Sequence, residues 1–253
     1  MQKVHLAPLW SVVVGTAGLA VISRFSVLSL LGWCAGLLYL GVSCALLTRG
    51  LRRRGTTGFG PANAITLTRS TVVGLITALV ATSFTATISV PLLIGLTVPA
   101  LALDAADGFV ARRTHTISEL GARFDMEVDA FLILVLSVYV SHLVGAWVLA
   151  IGLARYAFAV AGWVWAWMRQ PLPYRYWRKV TAGVQGVVLT VAAAEVVAQR
   201  VVTAALLVAL LLLVESFGRD VIWLWMRRRP GSVAQSTALG QVEASGSLSE
   251  RVR

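Results

Sequence analysis

Apolar runs long enough to cross a bilayer fill this chain from end to end, and short arginine-rich connections separate them. Inside hydrocarbon no water can satisfy backbone N–H and C=O groups, so runs of about 20 residues must close their hydrogen bonds within a helix. At that length the runs predict spans at Leu6–Ile22, Phe25–Leu47, Ala64–Phe84, Ala86–Ala111, Leu120–Val140, Gly145–Met168, Val180–Val197 and Val201–Trp225. The expected fold class is an all-α integral membrane protein. Charged residues make up only 13% of the chain against 58% apolar, too few to cover a water-exposed surface and too many apolar for disorder. Cys34 and Cys44 are the only cysteines and both sit in an apolar run, which excludes a disulfide scaffold.

A net charge of +11 in a soluble chain would suggest nucleic acid, so where the basic residues fall decides its meaning. Eighteen of the 22 lie on one side of the predicted spans, among them Arg49, Arg52, Arg112, Arg113, Arg169 and Arg227, while the opposite connections hold only Arg24 and Arg200. Basic residues in short connections mark the cytosolic face, and they also attract anionic lipid. The charge therefore predicts orientation and membrane-lipid contact, with no nucleic-acid partner. Lys3 alone is a weak positive region and Pro8 interrupts the run that follows, which argues against a cleaved secretory signal. Beyond Pro230 the tail is Ser, Gly, Ala and Gln without an apolar period.

Four carboxylates break the apolar pattern and locate the chemistry. Asp104 and Asp107 stand i,i+3 near the end of one span, and Asp125 and Asp129 stand i,i+4 near the start of the next. Each pair shares a helix face, and antiparallel spans joined by a short connection bring all four to a similar depth. Buried deep and unpaired they would cost on the order of 10 kcal/mol, so something must compensate them. Oxygen-only ligands with no His or Cys at ligand spacing suit a hard divalent ion such as Mg2+ or Mn2+. Gly108 and Gly121 clear space beside the acids, and Arg112 follows Gly108 by one turn. Carboxylates, a metal, small residues and an arginine suit a polyphosphate, although transporters also carry acids inside spans.

These residues resemble the signature of the CDP-alcohol phosphatidyltransferases, D-x2-D-G-x2-A-R-x8-G-x3-D-x3-D. Asp104, Asp107, Gly108, Ala111, Arg112, Gly121, Asp125 and Asp129 match it at every fixed position and spacing. Asn63, Thr66 and Arg69 resemble a second family element, N-x2-T-x2-R, with its polar groups on one helix face. The resemblance implies a catalytic six-helix membrane domain over 55–229; the apolar runs add about two extra N-terminal transmembrane segments and a basic connection over 1–54, and composition predicts a flexible polar tail over 230–253. The resemblance also implies transfer of a phosphatidyl group from a CDP-linked lipid to an alcohol, with release of CMP.

By the same resemblance two divalent ions sit on Asp104, Asp107, Asp125 and Asp129, with Asp129 also the catalytic base. Asn63, Thr66, Arg69, Gly108, Ala111, Arg112 and Gly121 border the nucleotide. Arg155, Arg175, Arg178 and Lys179 form an acceptor pocket for a phosphorylated alcohol such as glycerol phosphate or inositol phosphate. Here the chain departs from the family pattern, because Tyr156 replaces the acid that follows this arginine in many members. Family members are often homodimers, and the implied setting is a bacterial cytoplasmic membrane with the site facing the cytosol. The rival readings are an intramembrane Mg2+-dependent prenyltransferase and a membrane transporter. A prenyltransferase is expected to carry acidic motifs on two separated helix pairs rather than one compact pair.

Overall fold

The computed structural model describes residues 6–54, 61–114, 119–169 and 176–227, and among them every regular element is helical. Eight α-helices follow in order: α1 (Leu6–Phe25), α2 (Leu30–Arg54), α3 (Pro61–Thr82), α4 (Val90–Thr114), α5 (Glu119–Val144), α6 (Leu149–Val164), α7 (Tyr176–Ala193) and α8 (Gln199–Arg227). Each answers to one predicted run. Five stretches are long and apolar enough on their own to cross a membrane: Leu30–Gly50, Ile65–Thr82, Gly121–Val144, Ala146–Val164 and Gln199–Met226. Leu9–Phe25, Val90–Asp104 and Val180–Ala193 are shorter, and the second of these ends at a carboxylate of the expected site. The molecule is an integral membrane protein.

The ends of the helices follow local chemistry that apolarity alone does not report. The second run was expected to begin at Phe25, but α2 starts at Leu30, where Ser29 Oγ accepts from Gly32 N–H at 3.1 Å and caps the first turn. Pro91 fixes φ within the first turn of α4, which begins at Val90 rather than at Ala86. The span expected over Gly145–Met168 is broken at both ends. Gly145 adopts φ 133°, open to glycine, and leads through a 3₁₀ turn (Ala146–Val148) into α6; a second 3₁₀ turn (Ala166–Arg169) follows the extended Trp165.

α3 is the central helix, packed on α1, α2, α4 and α5, and α5 in turn packs on α6 and α7. Val73, Ile76 and Leu79 of α3 meet Val128, Leu132 and Leu136 of α5 in the main core. Large apolar side chains on the rim point outward instead, including Trp10, Phe25, Leu30 and Trp163, where lipid replaces protein as the packing partner. The bundle thus holds α3 and α5 together at the middle. That arrangement positions the site.

Candidate active site

Three helices deliver charged groups to one point. Asp104 ends the apolar stretch of α4, and Asp125 and Asp129 lie one turn apart near the start of α5. Their carboxylate oxygens come within 4.8 Å of one another, and the three side chains are about a third to two-fifths exposed at 42%, 31% and 33%. Arg69 of α3 is fully buried beside them. Its Nη1 donates to Asp104 Oδ1 at 2.5 Å, while Nη2 donates to Asp125 Oδ1 and approaches Asp129 Oδ1 at 2.9 Å. A planar guanidinium presents a fork that serves several carboxylates at once; a lysine ammonium lacks it.

This convergence has a simple helical cause. Asp125 and Asp129 stack at i,i+4, about 6 Å apart along the axis, so one nitrogen of a side chain arriving from α3 meets both. Thr66 lies one turn before Arg69 on α3 and is also buried. Gly121 lies one turn before Asp125 on α5 and is half-buried. The predicted residues Asn63, Asp107, Gly108, Ala111, Arg112, Arg178 and Lys179 fall in helices, but their side-chain surroundings lie outside the described residues, as does Arg175 altogether.

The donor set fits a hard divalent cation. All three groups offer oxygen, and their mutual separation is within what one ion spans at about 2.0–2.6 Å per bond. Three carboxylates against one guanidinium leave two net negative charges among these groups, the charge such an ion balances. Such an ion would share one task with Arg69, the neutralisation of acids held inside a membrane domain.

Arg155 of α6 finds an acid partner on the neighbouring helix α5. Its Nη2 donates to Glu127 Oε1 at 2.6 Å and its Nη1 lies 3.5 Å from Met126 Sδ. Glu127 sits two residues from both Asp125 and Asp129 and therefore leaves α5 on the opposite side. Spacing within one helix could not reveal this pair, nor the pairing of Arg69, because both join different helices. Tyr39 was also missed: it lies on α2, stacks on Phe131 and reaches Ser70 next to Arg69. A tyrosine in an apolar run gives no signal until the run has a neighbour. On α8, Glu215 and Arg219 form an i,i+4 pair.

A family model described as CDP-alcohol phosphatidyltransferase matches residues 59–240. The matched segment contains α3–α8 and the acid cluster, and leaves α1 and α2 outside it. No curated protein and no solved structure gives a match.

Proposed function

Because the chain belongs to the CDP-alcohol phosphatidyltransferase family, we propose that it transfers a phosphatidyl group from a CDP-linked lipid such as CDP-diacylglycerol to an alcohol hydroxyl. The family is a transferase family that works on CDP-alcohols with the help of a metal, and membership favours transfer over the prenyltransferase and transporter readings. The observation that carries the finer reading is the convergence of Asp104, Asp125 and Asp129 on one buried arginine.

Asp104, Asp107, Asp125 and Asp129 would hold the metal. Bound there, one or two divalent ions such as Mg2+ or Mn2+ would polarise the pyrophosphate oxygens and make CMP a better leaving group. Asp129 accepts the proton of the acceptor hydroxyl as its oxygen forms the new bond to phosphorus. The bond from that phosphorus to the CMP oxygen breaks, and CMP leaves with the electron pair. Arg69 holds the carboxylates at a fixed separation, so little reorganisation accompanies the charge shift. Asn63, Thr66, Gly108, Ala111, Arg112 and Gly121 border the cytidine diphosphate, while the lipid tails remain in the bilayer.

The positive-inside count favours a site facing the cytosol, the side that supplies nucleotide-linked substrates. The acceptor is phosphorylated, and Arg155 reads its phosphate together with Arg175, Arg178 and Lys179. Arg155 supports this because it is 37% exposed and already holds one anion, Glu127. The domain assignment follows the same line, with 55–229 as the catalytic unit, 1–54 as an added hairpin and 230–253 as a tail.

Purified protein given CDP-diacylglycerol, Mg2+ and a panel of alcohols should release CMP with at least one acceptor, and Asp129→Asn should abolish that release. Failure of wild type with every donor and acceptor, with no divalent ion bound, would overturn the proposal.

A further inference from the structure

One side chain of the helices outside the family match touches the sequence neighbours of Arg69 and Asp129. Tyr39 of α2 stacks on Phe131 of α5, with ring centroids 4.6 Å apart and planes inclined by 23°. Its hydroxyl lies 3.2 Å from Ser70 Oγ of α3. Ser70 directly follows Arg69, and Phe131 lies two residues beyond Asp129. One residue therefore ties the helix carrying Arg69 to the helix carrying Asp125 and Asp129.

The seat of Tyr39 is rigid. Gly32 and Gly36 let α2 lie directly on α3: a Cβ at Gly32 would fall 2.6 Å from the backbone oxygen of Ala78, and one at Gly36 would fall 3.0 Å from Ala78 Cβ. Gly74 of α3 does the same from the other side, since a Cβ there would meet Leu40 at 2.9 Å and the Tyr39 ring at 3.2 Å. Leu19 of α1, Leu40 and Ala78 form a small core of their own beside this seam. Ser29 N–H donates to Thr82 Oγ1 at 3.3 Å and fixes the far end. A hairpin that served only as an anchor would need no such register.

We infer that Tyr39 is a positioning residue of the transfer site, so that the N-terminal hairpin completes the catalytic centre from outside the six-helix domain. Through Ser70 and Phe131 it sets the approach of Arg69 to Asp129, on which the geometry of the acids depends. The inference rests on the transfer reading above.

The test is a double-mutant cycle on the full-length protein in lipid nanodiscs, with CMP release as readout. Tyr39→Phe keeps the ring stack and removes the hydroxyl; Ser70→Ala removes the other end of the same contact. Each should lower kcat roughly tenfold with KM for CDP-diacylglycerol within about twofold, the effect expected of a small misplacement of reacting groups. The double variant should be no slower than either single one. Leu38→Ala, at a lipid-facing position of α2, should leave kcat unchanged. Wild-type kcat in Tyr39→Phe, or effects that multiply in the double variant, overturns the inference while the transfer reading stands. A kcat loss that tracks loss of folded protein in thermal unfolding overturns it too. Absence of CMP release from wild type refutes the transfer reading, and this inference with it.

Discussion

Arg69 is the residue on which the acids depend. It is fully buried and answers three carboxylates, so removing it takes away the cation these like charges share. Breaking a buried ion pair from one side costs about 3–5 kcal/mol, and the low end applies here because the carboxylates reach solvent. Arg69→Ala should lose about 3 kcal/mol of stability in thermal unfolding. Added Mn2+ should recover part of that loss, because a divalent ion neutralises the same cluster. No recovery with Mn2+ would separate the ion from the acids. Glu127 and Arg155 make a second pair, half-exposed and therefore worth little to stability. On the proposed acceptor reading, Glu127 competes with the acceptor's phosphate for Arg155. Glu127→Gln should lower KM for a phosphorylated acceptor several-fold, whereas Arg155→Ala should raise it and leave KM for the CDP-lipid unchanged; steady-state kinetics with each substrate varied in turn separates the two.

Among the helices, the seam between α2 and α3 is the most exacting. Gly32→Leu must displace the backbone of α3 at Ala78 and should cost about 1–3 kcal/mol, while Gly41→Ala, with nothing within 4 Å of its added Cβ, should be neutral or stabilising by up to about 1 kcal/mol. Thermal unfolding of both variants checks this, and equal effects would remove the argument for close packing. The existence and order of the helices were legible in the sequence because hydrocarbon permits little else. Their ends were not, since α7 begins at Tyr176 within a basic stretch that apolarity passes over, and Ser29 caps α2 by a hydrogen bond that composition cannot show. The carboxylates of α4 and α5 were legible for the same reason as the helices: an acid inside a span is costly enough to need a function. The pairing with Arg69 was not, because the resemblance sets Arg69 beside the nucleotide, and spacing within α3 cannot show that its guanidinium faces the acids of α4 and α5.

Seen together, the described helices gather Asp104, Asp125, Asp129 and Arg69 at one place, with two added helices pressed against the helix that supplies the arginine. The proposed task of that cluster is to break a pyrophosphate linkage and make a phosphodiester. Counting products against each other tests that proposal. With CDP-diacylglycerol, a competent acceptor and Mg2+, wild-type protein should form one molecule of new phosphatidyl lipid for each CMP released, and both should fall to background in Asp129→Asn or when the divalent ion is chelated. CMP released without a matching lipid product, or undiminished turnover in Asp129→Asn, would contradict the account.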